Sequence, residues 1–314
     1  MRIAVFGTGA VGGYFGGRLA QAGEEVIFIA RGEHLQALRS HGLRVDSSKG
    51  DFMLQPVQAS ADPAQVGEVD VLLVGVKAWQ VPEAAQAMRP MVGPDTFVVP
   101  LQNGVEAPSQ LAAVLGARHV LGGLCKIISF IVGPGHIRHA GLEPYVAFGE
   151  LDNRPSERTE RLRQAFARAV GVTVEIPPDI QVAMWEKFLF IASFSGVGAV
   201  TRAPAGVLRS VPETRQLLEQ AMHEIFAVAR AREIALPGDI VGQTMAVVDG
   251  LPPDGTASMQ RDVMEGRPSE LASQNGAIVS LGQEVGVATP LHGFIYHSLL
   301  PLELRARGQV QFQA

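Results

Sequence analysis

The sequence is short of several things, and each shortage narrows what the chain can do. Its single cysteine, Cys125, excludes an internal disulfide and any cysteine-based zinc cluster. The eight histidines show no HExxH or comparable spacing, so no protein-held metal is expected. Only 18% of the residues are charged and the net charge is -5, so the basic stripe demanded by nucleic acid or anionic lipid is missing. Neither partner is expected. The longest uncharged run in the second half, residues 188–201, is too short and too rich in Ser and Gly to span a bilayer and reads as buried helix. The N-terminal apolar stretch dissolves into glycines without a cleavage site, so no signal peptide is expected and the expected location is cytoplasmic. Lysine is scarce as well. Of 26 basic residues only Lys49, Lys77, Lys126 and Lys187 are lysine, which makes each conspicuous.

What is present is core-forming material. With 314 residues, 47% of them hydrophobic, the chain is long enough for about two globular domains. Up to about residue 177, β-rich runs alternate with helical stretches, the pattern of parallel βαβ units. Strands are expected at 2–6, 25–30, 69–76, 96–100 and 172–176, and helices at 12–22 and 155–170. Glycine-punctuated strands between Val120 and Gly149 suit an antiparallel or mixed edge. The pair Pro177-Pro178 marks the domain boundary. Beyond it, Leu218, Met222, Ile225 and Ala229 recur at helical spacing behind Pro212, and Leu271, Gln274, Ile278, Leu281 and Val285 form a second stripe. The expected fold is therefore α/β: a Rossmann-type dinucleotide-binding domain over 1–177 and an all-helical domain over 178–314.

Gly7, Gly9 and Gly12 fit G-x-G-x-x-G between the first strand and the first helix, where the fingerprint has its meaning. Gly7 permits the tight turn, Gly9 admits a pyrophosphate, and Gly12 lets helix and strand pack closely. Thr8, Ala10 and Val11 complete the candidate cofactor loop at a helix N-terminus. The second strand ends in Arg31, not in the acid that binds an NAD ribose. A guanidinium there can pair with a 2′-phosphate, so NADP is the expected cofactor. Lys77 and Asn103 follow two further strands at their carboxyl ends, where ligands of open parallel sheets bind, although a lysine there can also simply surface.

Lys187 has Ala183, Met184, Phe190 and Ile191 as its helical neighbours. An ammonium on such a face is costly unless it is paired, reaches a polar cavity or snorkels to water, and burial would tune it as a proton donor. Glu270, in Pro268-Ser269-Glu270, fits the dipole-favoured first turn of a helix, and Ser258 fits an N-cap for the preceding helix. In one unbroken helix their twelve-residue spacing would set them about 120° apart. Gly266 and Pro268 allow a break that brings them together.

The segments GTGAVGGYFGGRLAQAG, VKAWQ, LQNG, MWEKF and SMQRDVMEGRPSE, together with Arg31, resemble the ketopantoate reductase family across nearly the whole chain. The resemblance implies an NADPH-binding Rossmann domain, a helical domain that closes over it, and reduction of a branched 2-oxo acid in pantothenate synthesis. It makes Lys187 the general acid and Glu270 its partner carboxylate, also facing the cofactor. It makes Ser258 a substrate-binding serine, and it sets Asn103 and Lys77 along the nicotinamide and substrate pocket, with Ser195 a further substrate contact. Lys77 and Lys187 would then fall on opposite sides of an interdomain cleft. The best-known members carry asparagines where this chain has Ile191, Ser195 and Gly255, which opens the choice of substrate. A β-hydroxyacid dehydrogenase and a non-catalytic NADPH sensor are the rival readings. Cys125 reads as a buried thiol, Lys49 and Lys126 acquire no role, and the apolar helical half is compatible with a homodimer.

Overall fold

A continuous apolar run after Arg2 forms β1 (Arg2–Phe6) in the computed structural model, which describes residues 1–312. In chain order there follow α1 (Ala10–Gln21), β2 (Glu25–Ile29), α2 (Gly32–His41), β3 (Leu43–Ser47), β4 (Phe52–Leu54), β5 (Gln58–Ser60), α3 (Pro63–Val66), β6 (Val69–Val74), α4 (Val81–Met88), β7 (Val92–Pro100) and α5 (Ala107–Leu115). Then come β8 (Gly122–Lys126), β9 (Ser129–Gly133), β10 (His136–His139), β11 (Tyr145–Gly149), α6 (Glu157–Ala167) and β12 (Thr173–Glu175). The helical part comprises α7 (Ile180–Thr201), α8 (Ala205–Ser210), α9 (Pro212–Ala231), α10 (Ile240–Asp249), α11 (Ser258–Met264), a π-helical turn Ala272–Gly276, α12 (Ala277–Glu284) and α13 (Pro290–Ala306). Two units result: Met1–Gln102 with Ala107–Ile180, and Asn103–Glu106 with the chain from Gln181 onward.

In the first unit, β5-β2-β1-β6-β7 make a parallel sheet. Ile3 and Val5 of β1 pack with Tyr14, Phe15 and Leu19 of α1, while Ala4 and Phe6 join Ala85, Met88 and Leu111 on the opposite face. Both faces are buried, which is why these strands read as continuous apolar runs. Strand order reverses between β1 and β6, and the register aligns Phe6 with Ile29 and with Val74, so the carboxyl ends of β1, β2 and β6 lie level. That is the position of a ligand crevice in open parallel sheets.

The Val120–Gly149 segment departs from the expected sheet edge. Its strands enter two further sheets, β4-β3-β10-β9 and β12-β11-β8, and among the described residues an isolated Val98–Val120 bridge is its one strand pairing with the main sheet. β3, β4 and β5 were absent from the sequence expectation; β3 pairs in parallel with β10, far along the chain.

The second unit is helical. Leu218, Met222, Ile225 and Ala229 of α9 are fully buried against Leu189, Leu271 and Ile278. The uncharged run after residue 188 belongs to the longer α7, whose 22 residues are by length and composition enough to cross a membrane, yet 67% of its apolar window is buried inside the protein, as in a core helix. Its glycines make room for amides. A Cβ at Gly196 would lie 2.5 Å from Asn275 Nδ2, and one at Gly198 2.6 Å from Gln260 Oε1.

Candidate functional site

At the carboxyl ends of β1 and β6 the glycines divide by purpose. Gly7 has φ +95°, and a Cβ there would sit 2.6 Å from Val76; a Cβ on Gly12 would come within 2.4 Å of the Gly7 carbonyl. These two satisfy the fold itself. A Cβ on Gly9 would meet nothing closer than 4.0 Å, so the packing around Gly9 does not require glycine. The space fits a ligand's close approach. Gly9 caps α1 without a side-chain hydrogen bond, and no acid occupies the first turn, so the amides around Ala10 and Val11 face an uncompensated positive helix end. This cradle fits a dinucleotide pyrophosphate. Thr8 is turned away from it: its hydroxyl and its amide both donate to Ile29 O, each at 3.0 Å.

Arg31 caps α2 just beyond β2, is exposed, and makes no ion pair or side-chain hydrogen bond among the described residues. The acids nearest in sequence are occupied elsewhere. Glu24 holds the N-terminal ammonium and Arg168, and Glu25 pairs with Arg2. Lys77 is exposed three residues past the end of β6, with its ammonium 5.7 Å from the Trp79 ring centroid. Gln102, which sequence reasoning missed, is buried and donates to Val74 O at 2.8 Å and Val76 O at 3.0 Å, holding the end of β6. An apolar strand followed by a buried amide was the available signal.

In the helical unit, the segment from Ser258 to Glu270 is broken as expected. α11 ends at Met264, and Gly266 adopts φ +67°. Arg267 donates from Nη2 to Asp262 Oδ1 at 2.8 Å and from its amide to Asp262 O at 2.8 Å, closing the turn. The buried Glu303 carboxylate accepts from the Ser269 amide and hydroxyl and from Arg307 Nε. Glu270 is thereby set into the interior, 5% exposed, just ahead of the π turn and not within a regular first turn. Asn103 Nδ2 donates to its Oε2 at 3.0 Å.

Ser258 is half-buried and opens its own helix, α11, behind Ala257; α10 ends at Asp249, so Ser258 caps no preceding helix. Arg261, three residues on and hence on the same side, donates to Thr256 O and Oγ1 at 2.6 and 3.0 Å, and burial pulls its pKa below the usual arginine value. Sequence reasoning passed over it because the chain is rich in arginine.

Lys187 is half-buried on α7 beside the buried Met184, with Ala183, Phe190 and Ile191 half-buried around it. Ser195 differs from its expected role as a substrate contact. It is fully buried, and its hydroxyl donates to Gln274 Oε1 at 2.6 Å. Its polar group is consumed within the helical core. Gly255 sits in a tight turn where a Cβ would come within 2.9 Å of Pro252 O, so an asparagine would strain the backbone there.

Cys125 is buried with Sγ 3.4 Å from Leu101 O. Lys49 pairs with Glu143, and Lys126 lies 5.0 Å from the Tyr145 ring centroid. Among the described residues no group of His, Cys, Asp and Glu has the arrangement of a metal centre.

Two family models match the chain: "Ketopantoate reductase PanE/ApbA" over residues 3–153 and "Ketopantoate reductase PanE/ApbA C terminal" over residues 179–303. A 2-dehydropantoate 2-reductase of Nostoc sp. is 32% identical over 311 residues, covering 98% of this chain and 96% of the relative. A solved PanE/ApbA family ketopantoate reductase from Ralstonia eutropha JMP134 is similar with a TM-score of 0.89 and 33% identity, covering 98% of this chain and 100% of that one. D-mandelate dehydrogenase, solved with NADH and anilino(oxo)acetate, shares the fold at a TM-score of 0.89 and 22% identity, covering 98% and 99%.

Proposed function

The chain belongs to the ketopantoate reductase family and is an oxidoreductase of the 2-dehydropantoate 2-reductase type, and from that premise we propose that it reduces a 2-oxo acid with NADPH, 2-dehydropantoate to pantoate in pantothenate synthesis. The observation that carries the reading is the pairing of Asn103 with Glu270, 167 residues apart in sequence, inside the helical unit that also bears Lys187. A bound NADPH supplies the hydride. The amides at the start of α1 and the open space at Gly9 hold the pyrophosphate, and the Arg31 guanidinium, which pairs with no other described residue, takes the 2′-phosphate.

Lys187 polarises the substrate carbonyl oxygen and delivers a proton to it, so that no alkoxide is left uncompensated. Glu270, held by Asn103, orients Lys187 or a substrate hydroxyl. Ser258 holds the substrate, and Arg261 on the same side of α11 adds the positive charge that a 2-oxo acid's carboxylate calls for.

Ile191 and Ser195 favour a second substrate within the same reaction. An apolar Ile191 and a Ser195 hydroxyl spent on Gln274 remove two polar groups that could read a hydroxylated substrate. A more apolar 2-oxo acid is that reading. NADPH oxidation by purified protein across a panel of 2-oxo acids tests both. Highest kcat/KM for 2-dehydropantoate supports the first, highest kcat/KM for an apolar 2-oxo acid the second, and no turnover of any member overturns both. Lys187→Ala should lower kcat by about 10²–10⁴-fold with NADPH affinity unchanged; wild-type turnover would remove the lysine from this role.

A further inference from the structure

The π-helical turn directly after Glu270 has a consequence for that residue. Gly276 N donates to Leu271 O at 3.0 Å, the i to i+5 bond of a widened turn. The extra residue sends two consecutive amide side chains, Gln274 and Asn275, into the interior, both fully buried. Asn275 Nδ2 reaches Ala192 O on α7 at 3.2 Å. Gln274 faces two polar groups at once. Its Oε1 accepts from Ser195 Oγ at 2.6 Å, and its Nε2 lies 3.4 Å from Glu270 Oε2, the same oxygen that Asn103 engages.

The polarity of this chain follows from donor and acceptor inventory. A carboxylate oxygen only accepts, so the Gln274 end facing Glu270 is the NH₂. Its carbonyl end then requires a donor, and the Ser195 hydroxyl is the donor beside it. Turning the amide over would set its carbonyl oxygen against a carboxylate oxygen. A buried amide with both ends engaged loses its rotational choice, and the carboxylate it touches loses part of its own.

We infer that Gln274, locked by the Ser195 hydroxyl, is a positioning residue that fixes the carboxylate of Glu270 from the side opposite in sequence to Asn103. The inference rests on the role proposed for Glu270. It assigns Ser195 a function two hydrogen bonds removed from Glu270, in place of direct substrate contact. Gln274 acts through Glu270, since it has no exposed surface and its amide is engaged by Ser195 and Glu270.

The test is a pair of double-mutant cycles on the full chain, Gln274→Met against Glu270→Gln and Ser195→Ala against Gln274→Met. In the kinetic cycle, Gln274→Met should lower kcat at least tenfold while the KM for NADPH stays within twofold. Ser195→Ala should lower kcat about threefold. In the Glu270→Gln background, Gln274→Met should change kcat by less than twofold. A tenfold loss that persists in that background means that Gln274 acts by general structural damage and overturns the inference. The second cycle reads urea-unfolding midpoints, which need no turnover. Non-additive midpoint shifts for both pairs support the locked chain, and additive shifts overturn it. A wild-type protein inactive on every 2-oxo acid would sink the proposed reaction, while the unfolding cycle would still decide whether Gln274 holds Glu270.

Discussion

His292 offers a perturbation whose size follows from burial alone. It lies at the start of α13 with no exposed surface, and neither ring nitrogen has a hydrogen-bond partner among the described residues. The adjacent Glu224 does not rescue it. Both Glu224 oxygens are taken by backbone amides, of Leu291 at 2.8 Å and His292 at 3.0 Å, and the nearer oxygen stands 3.6 Å from Nδ1, beyond hydrogen-bond reach. Burial drives the imidazole pKa down from 6.5 to about 3. The folded protein therefore keeps His292 neutral, whereas the unfolded chain binds a proton there as pH falls below 6.5. Stability is full above that value and is lost progressively down to pH 3.

Integrating the linkage gives a loss of about 1 kcal/mol between pH 6.5 and 5.5, and about 2 kcal/mol by pH 4.5. Glu224 works in the opposite sense, because burial raises its pKa and its proton uptake favours the folded state, but it starts from 4.5 and acts mainly at the acid end. The assay is urea unfolding across pH 7.5 to 4.5 for wild type and His292→Leu. Leucine removes two unsatisfied polar atoms at similar volume, so the variant should be as stable as wild type or more so at pH 7.5. Its stability should fall by about 1 kcal/mol less between pH 6.5 and 5.5. Equal pH slopes in the two proteins would refute the reasoning, as would a variant more than about 2 kcal/mol less stable at pH 7.5.

Arg31→Ala should weaken NADPH by about 10- to 100-fold, one charge-assisted pair, and NADH by less than threefold; fluorescence titration with both nucleotides checks it, and equal losses would remove Arg31 from the 2′-phosphate. Gly9 and Gly12 should separate binding from folding. Gly9→Ala should keep the wild-type melting temperature yet bind nucleotide poorly, whereas Gly12→Ala should lower the melting temperature by several degrees, because its Cβ would meet the Gly7 carbonyl at 2.4 Å. Equal melting temperatures for the two variants would contradict this division.

The parts of the fold written in local periodicity were legible. β1, α1 and β2 surround the glycine fingerprint as their pattern required, and the α9 stripe from Leu218 to Ala229 is buried as a unit. The two small sheets were not legible, because β3 is short, half-polar and completed by a partner some ninety residues away. No window of sequence contains that pairing. The same physics limited the site. Ser195 stands two turns after Lys187, which marks it as near the candidate acid in projection, but only the packed π turn reveals that its hydroxyl is spent on Gln274. Asn103 could be placed at the end of β7 from sequence. Its attachment to Glu270 could not, since the loop 103–106 belongs with the helical unit.

The glycines of α7 make this more than a matter of individual contacts. A helix as apolar as α7 could slide against its neighbours by a turn with little change in buried area, since its inward face offers hydrocarbon almost throughout. Gly196 and Gly198 remove that freedom, because each is a notch just deep enough for one amide, Asn275 from the π turn and Gln260 from α11. Sliding α7 would drive a side chain into each amide and take Ala192 O away from the buried Asn275 amide, a penalty of several kcal/mol. Lys187 lies nine residues before Gly196, about 13.5 Å along the same helix, and Glu270 lies just ahead of the π turn that carries Asn275. The longitudinal register between the proposed acid and its carboxylate is therefore set at a distance from both, by two glycines whose visible trace in the sequence is the pair Gly196 and Gly198 with a single valine between them.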